Sequence, residues 1–297
     1  MDTYKTAGLV KHDCGLRERE MAVASIGPAG ENLVKFAGVF VDHGHSASHN
    51  GPGAVMGCKK LKAIGIARGK RQVAVHDPER LRGIAKEFVE NVKTQSKDTY
   101  EYGTLNGLFN NGRRNMIPVK NYTTATWVID KEKLERFSGP YIREKFPARR
   151  NSCWACQIHH CDIMTITEGP YAGEVLEEPE YEQFAAWSSA IGNEDVTAAM
   201  MLSKEIDRLG MESNEGGWVV GFAMECYEKG ILTKETANGL DLSWGNAESA
   251  RLLLNLIANR QGIGDILGEG VMRGARKLGG EAANMAIHTL KGNTPRG

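Results

Sequence analysis

Three cysteines fall within nine residues at Cys153-Trp154-Ala155-Cys156-Gln157-Ile158-His159-His160-Cys161, whereas Cys14, Cys58 and Cys226 are scattered singly. A CxxC turn brings two sulfurs together, and a third thiol about one helical turn later can converge on the same centre, so the spacing points to metal. Three readings stand on it: a four-iron cluster completed by a thiolate from elsewhere, a zinc site in need of a fourth Cys or His, and unligated or redox thiols. His159 and His160 adjoin these cysteines as candidate proton donors, because imidazole titrates close to neutral pH and a centre that delivers electrons needs protons nearby. The plainer reading is one buried, hydrogen-bonded ring and one solvated ring.

Glu177-Glu178-Pro179-Glu180-Tyr181-Glu182 packs four carboxylates into six residues. The ordinary explanation is a solvated helix start, where acidic side chains favour the positive end of the helix dipole. Asp207-Arg208-Leu209-Gly210 ends a helical stretch, where a carboxylate and freed backbone amides can hold a polar heterocycle, although DxxG alone carries little information. Gly27-Pro28-Ala29-Gly30 and Gly51-Pro52-Gly53-Ala54-Val55-Met56-Gly57 can bring backbone close to a phosphate. Neither matches a dinucleotide fingerprint or a Walker loop, so tight turns are their default reading.

The elements that must position these residues divide into two kinds. Between residues 22 and 69, short apolar runs alternate with glycine-rich turns: Val23-Ala24-Ser25-Ile26, then 33–40, the polar stretch His43-Gly44-His45-Ser46, and Ala63-Ile64-Gly65-Ile66, which reads as short strands. Asp77-Pro78-Glu79 is a helix start, and Leu81, Ile84, Ala85, Phe88, Val89 and Val92 follow at helical spacing. Further helices are expected over 129–137, 181–191, 195–209, 217–229, 247–259 and 265–278, with 139–150 and 167–182 irregular. The fold class is α+β, with residues 1–70 β-containing and residues 71–297 mainly helical.

Composition narrows the function. Thirty-seven basic and 37 acidic side chains cancel, and no block of like charge stands out, so neither nucleic acid nor an anionic membrane surface is an expected partner. The longest apolar runs fall short of the roughly 20 residues a membrane helix needs. The start Met1-Asp2-Thr3-Tyr4-Lys5 lacks the basic and apolar segments of a secretory signal, and cysteine usage is ordinary, which together read as a cytosolic, reducing address.

In order along the chain, several segments closely resemble the tungsten-containing aldehyde ferredoxin oxidoreductase family. They are Ile26-Gly27-Pro28-Ala29-Gly30-Glu31-Asn32, Gly53-Ala54-Val55-Met56-Gly57-Cys58-Lys59-Lys60-Leu61-Lys62-Ala63-Ile64, Tyr102-Gly103-Thr104, Pro118-Val119-Lys120-Asn121, the cysteine cluster, Pro179-Glu180-Tyr181-Glu182, Asp207-Arg208-Leu209-Gly210 and Ala223-Met224-Glu225-Cys226-Tyr227-Glu228-Lys229-Gly230. The resemblance implies tungsten, or molybdenum, between two pyranopterins beside a 4Fe-4S cluster. Cys153, Cys156 and Cys161 would supply cluster thiolates, and Asp207 and Gly210 would belong to a pterin-binding motif. Ser48, His49, Asn50 and Gly51 would approach a pterin phosphate or a magnesium ion bridging pterin phosphates. Glu180 would be the active-site carboxylate, with His159 and His160 on a proton path.

Four residues separate Cys156 from Cys161, one more than typical aldehyde oxidoreductases have. Ser48-His49-Asn50-Gly51-Pro52 stands where those have a basic Gly-Arg-Gly-Gly stretch. With His159-His160 and the closing Lys291-Gly292-Asn293-Thr294-Pro295-Arg296-Gly297, these details resemble the branch containing the catalytic subunit of class II benzoyl-coenzyme A reductase. That branch implies an aromatic acyl-CoA substrate in place of an aldehyde, an iron-sulfur protein or ferredoxin as electron partner, and an oligomer or complex subunit. Family members are about twice this long, so the sequence reads as a central fragment, with the front of the β domain before Met1 and the second DxxG motif with the fourth cluster cysteine after Gly297. Cys14, Cys58 and Cys226 do not sit in a matching context for that ligand.

Overall fold

The computed structural model describes residues 1–42, 44–69, 73–153, 156–158 and 160–295. His159, named above as a proton donor, lies outside the described residues, as do Trp154 and Ala155 within the cysteine segment.

Helix α1 (Thr3–Asp13) starts under Asp2, whose carboxylate accepts the Lys5 N–H at 2.8 Å. It packs Ala7 on Met21 and Val23 of β1 (Met21–Ser25). Next come α2 (Pro28–Glu31), β2 (Val39–Val41), β3 (His45–Ala47), α3 (Pro52–Cys58) and β4 (Ala63–Ala67). The strands form one antiparallel sheet in the order β3-β2-β1-β4, with Ala24 opposite both Val41 and Ile64 and Phe40 opposite Ser46. The bend between β2 and β3 is pinned by Asp42, which pairs with the buried Lys11 ammonium at 2.9 Å.

Gly27–Gly30 and Gly51–Gly57, expected as tight turns, instead carry the short helices α2 and α3. Pro28 and Pro52 occupy the first helical turns, where a missing N–H costs nothing. Their glycines serve contact between the two helices, since a Cβ on Gly57 would overlap the Gly30 carbonyl. Of the apolar run 33–40, only its end reaches a strand.

Helices α4 (Pro78–Gln95), α5 (Lys97–Tyr102), α6 (Gly107–Gly112), α7 (Lys131–Glu135) and α8 (Gly139–Lys145) follow. A second antiparallel sheet then comprises β5 (Ala148–Arg150), β6 (Asp162–Thr165) and β7 (Val175–Glu177), in that order. The stretch 139–150, expected to be irregular, instead holds α8 and β5, and 167–182 holds β7; a seven-residue helix and strands of three or four residues carry too little periodicity to be read in sequence. The chain ends in α9 (Tyr181–Trp187), α10 (Val196–Leu209), α11 (Ser213–Glu228), α12 (Ala247–Ala258), α13 (Ile263–Leu267) and α14 (Val271–Leu278).

Helix α11 begins four residues before the expected 217 because Glu212 caps it, accepting the Glu215 N–H. The expected 265–278 helix is broken in two at Gly270, whose φ of 82° is left-handed. Mixed strands and helices confirm the α+β class. One apolar cluster joins Ala29, Val34 and Phe36 to α9 through α12 and on to Ala282, so the β-containing part and the helices share a core. No helix among the described residues is long and apolar enough to cross a membrane.

Candidate active site

Where the β3 hairpin, the β7–α9 junction and the α10–α11 junction meet, they enclose a cavity of about 320 Å³. Its helical wall is built by close backbone approach. Helix α10 closes on Gly210 at φ 79°, and the Gly210 N–H donates to the Ile206 carbonyl at 3.0 Å. Gly27 lies against this turn so tightly that a Cβ there would overlap the Leu209 carbonyl oxygen. The Gly38 N–H donates to the Gly210 carbonyl and the Glu212 N–H to the Phe36 carbonyl, both at 2.9 Å, while the Thr3 hydroxyl donates to the Asp207 carbonyl at 2.8 Å. The Ile26-Gly27-Pro28 motif therefore seats the DxxG turn against the N-terminal part.

The Asp207 side chain is 5% exposed and lines the cavity, with the Gln183 amide donating to its oxygens at 3.4 and 3.3 Å. Burial, and secondarily the Glu177 charge, pushes its carboxyl well above the usual range. One expectation is corrected: the end of α10 frees carbonyls, not amides. The amides at this wall belong to the first turn of α11, behind Glu212.

The opposite wall carries the cysteines. The Cys156 N–H donates to the Cys153 carbonyl at 3.1 Å, and the Asn151 N–H donates to the Cys161 carbonyl at 2.9 Å at the start of β6. Arg143 of α8 staples the wall from behind: it pairs with Asp162, lies 2.9 Å from Glu178, and donates to the His160 carbonyl at 2.9 Å. Glu178 is 6% exposed, and burial pushes its carboxyl up to about 8 despite Arg143. The carboxylate run is thus not the solvated helix start expected of it. Glu177 and Glu178 are tucked in at the end of β7, and only Glu180 and Glu182 start a helix.

Glu180 caps α9 in a box with Gln183, accepts the Thr104 hydroxyl, and lies 3.2 Å from His160 Nε2. Gly103, at φ 57°, presses against the His160 ring with no room for a Cβ. Tyr102-Gly103-Thr104 therefore places both members of this pair. Cys161 Sγ lies 3.7 Å from Glu180 Oε1 and from both His160 ring nitrogens. Burial, with Glu180 and Glu177 next, raises the Cys161 thiol far above its ordinary value; burial and Cys156 raise Cys153.

Of the residues predicted from sequence, Ser48, Cys153, Cys161, Glu180 and Asp207 line this one cavity. Cys156 and His160 are not among its lining residues, and His160 stands behind Glu180. Gly210 acts through contact with Gly27. His49, Asn50 and Gly51 line a neighbouring cavity of about 210 Å³ with Lys35, Arg273 and Lys291; Ser48 and Glu212 border both. Sequence reasoning missed Gln183, Glu212 and above all the pair His45–Glu177, 2.5 Å apart. No spacing marked that pair, because its members come from separate sheets.

These residues fit the cofactors suggested by the sequence. Soft thiols from Cys153 and Cys161 face a cavity with the buried Asp207 carboxyl opposite, and metal binding would reverse the electrostatic cost of ionising those thiols. The neighbouring cavity sets Lys35, Arg273 and Lys291 against Glu212, Glu215 and Glu269, a mixed lining that offers cationic donors to a phosphate and carboxylates to a bridging cation.

Residues 80–296 match the family model described as aldehyde ferredoxin oxidoreductase, domains 2 and 3, and residues 1–68 match that family's N-terminal domain. The chain is 33% identical over 294 residues to a tungsten-containing aldehyde ferredoxin oxidoreductase of Pyrococcus furiosus, an alignment covering 97% of this chain and 46% of that protein. It is 33% identical over 276 residues to a protein of the same organism named aliphatic sulfonate oxidoreductase, WOR-like subunit, covering 91% and 43%. Among solved structures, the active site complex BamBC of benzoyl coenzyme A reductase with 1,5 dienoyl-CoA matches with a TM-score of 0.82 at 25% identity, over 99% of this chain and 45% of that one. The chain thus spans about half the length of the curated relatives it matches.

Proposed function

The chain belongs to the aldehyde ferredoxin oxidoreductase family, and from that premise we propose that it works in a tungsten-bispyranopterin, iron-sulfur oxidoreductase that reduces the ring of benzoyl-CoA or a related aromatic acyl-CoA. The observation that carries this reading is the single cavity onto which cysteine thiols, Glu180 and Asp207 all open. The structural likeness to the benzoyl coenzyme A reductase complex, the longer cysteine spacing and the adjoining imidazoles favour the aromatic thioester. Residues 1–70 then form part of a pterin-binding domain and residues 71–297 the helical part.

In this reading Cys153, Cys156 and Cys161 hold a 4Fe-4S cluster with a fourth thiolate from outside this chain's candidates. Asp207 holds a pterin heterocycle, and the 48–51 turn with Lys35, Arg273 and Lys291 holds pterin phosphate or its magnesium. When bound, the tungsten or molybdenum pterin supplies two-electron chemistry, fed through the cluster by a ferredoxin or another iron-sulfur protein. The chain's own residues manage position and protons. Glu180, fixed by the Thr104 hydroxyl and by His160, presents its carboxylate to the cavity, and His160 behind it can replenish a proton.

A second reading has a specific basis in the 33% identity to tungsten-containing aldehyde ferredoxin oxidoreductases: oxidation of an aldehyde to a carboxylic acid. Assaying the anaerobically purified native protein with benzoyl-CoA plus a low-potential donor, and with aldehydes plus ferredoxin, separates the two. Ring reduction without aldehyde oxidation supports the first reading, and the converse supports the second.

A further inference from the structure

Both readings move two protons for every two electrons. Adding two electrons to an aromatic ring consumes two protons, and converting an aldehyde and water to a carboxylic acid releases two protons while two electrons leave to a one-electron iron-sulfur carrier. Glu180 with His160 behind it offers one proton route. His160, however, is not among the residues lining the cavity, whereas His45 is.

His45 is oriented by one carboxylate, Glu177, which is itself held by two further contacts. Its Nδ1 lies 2.5 Å from Glu177 Oε1. The Asn151 amide donates to the same Glu177 oxygen at 3.2 Å, which fixes the carboxylate. Gly44 packs on Glu177 so closely that a Cβ would overlap its Oε2. With Nδ1 committed to the carboxylate, Nε2 is the ring nitrogen left for a proton exchange partner, and the side chain retains 26% of its exposure. We infer that His45, oriented by Glu177, is the imidazole that exchanges a proton directly with substrate in this cavity, as a second donor or acceptor alongside Glu180.

The inference rests on the proposed oxidoreductase reading for the identity of the proton's partner, but not for the pairing itself. The charged groups that face His45 are Glu177 from β7, Asp42 from the β2–β3 bend and Glu180 from the start of α9. All are acidic, and the hydrogen bond to Glu177 is the main reason the ring retains its proton more strongly than usual.

In the native holoenzyme, His45→Ala should lower turnover about 100-fold or more with tungsten and iron per chain unchanged, and added imidazole should restore part of the loss. Glu177→Gln should lower turnover about tenfold. Carbethoxylation by diethyl pyrocarbonate, followed by mass spectrometry with exposed His12 as internal reference, reads the pairing without activity: Glu177→Gln should make His45 react faster, because a neutral partner releases the ring's proton. Unchanged turnover in His45→Ala, or loss of metal together with activity, overturns the inference. Native protein without tungsten or molybdenum overturns the functional reading instead. Even then, equal carbethoxylation rates in parent and Glu177→Gln would refute the pairing.

Discussion

The two walls of the cavity are built on different principles. At the α10–α11 junction the functional side chain is fixed by the core: Asp207 and Glu212 are buried, and Gly27, Gly38 and Phe36 bind the turn through backbone contacts that tolerate no side-chain atom at Gly27. Across the cavity, Cys153 is exposed, Cys156 and Cys161 are half-buried, and the groups around them are charges arranged about Arg143. The first wall is complete from polypeptide packing alone. The second assembles acidic groups and thiols whose ionisation burial disfavours, and the metal proposed for it would supply positive charge there.

The contrast is sharpest in a steric test. Gly27→Val drives a branched side chain into the Leu209 carbonyl, and we expect it to lower unfolding free energy by about 3 kcal/mol, measured by denaturant titration, with loss of bound tungsten. A variant as stable as the parent would break the claim that packing sets this wall. Cys161→Ser should abolish iron binding while leaving that wall intact. Hydrogen exchange is expected to rise over residues 150–161 and to stay unchanged over 206–214, and a rise in both would mean that the walls are not independent.

A third test is electrostatic. Glu178 titrates near 8 in the folded protein against 4.5 ordinarily, so the folded state binds a proton that the unfolded chain releases. This contribution to stability is fully present below about pH 4.5 and is lost as pH rises through 8. Urea midpoints measured across that window should fall with pH in the parent and fall less in Glu178→Gln. The smallest effect is expected of Thr104→Val, which removes one hydroxyl from Glu180 while His160 remains: turnover should drop about tenfold with iron content unchanged.

Long elements were legible because their periodicity had room to appear. The helix expected over 195–209 is α10, buried on almost every side, and that over 247–259 is α12, with one buried face. The same periodicity identified α4, yet none of its 18 residues is buried and Leu81, Ile84 and Phe88 are 52%, 55% and 57% exposed. An apolar stripe states that a helix has a preferred face, not what covers it. The β5–β6–β7 sheet was illegible because its strands are too short, and with it went the burial of Glu177 and Glu178. Gly103 and Gly27 appeared in sequence as parts of a family resemblance; their physical role, contact with the His160 ring and with the Leu209 carbonyl, follows only from the fold. His45 illustrates the remaining limit, since its partner is brought to it from more than 100 residues away.

The cysteine wall and the Asp207 wall are proposed together to hold an iron-sulfur cluster and a tungsten or molybdenum pterin. Elemental analysis of the native, anaerobically purified protein for tungsten, molybdenum, iron and zinc tests this proposal most directly. Tungsten or molybdenum with about four irons per chain is the expected result. Zinc alone, or no metal, would contradict it.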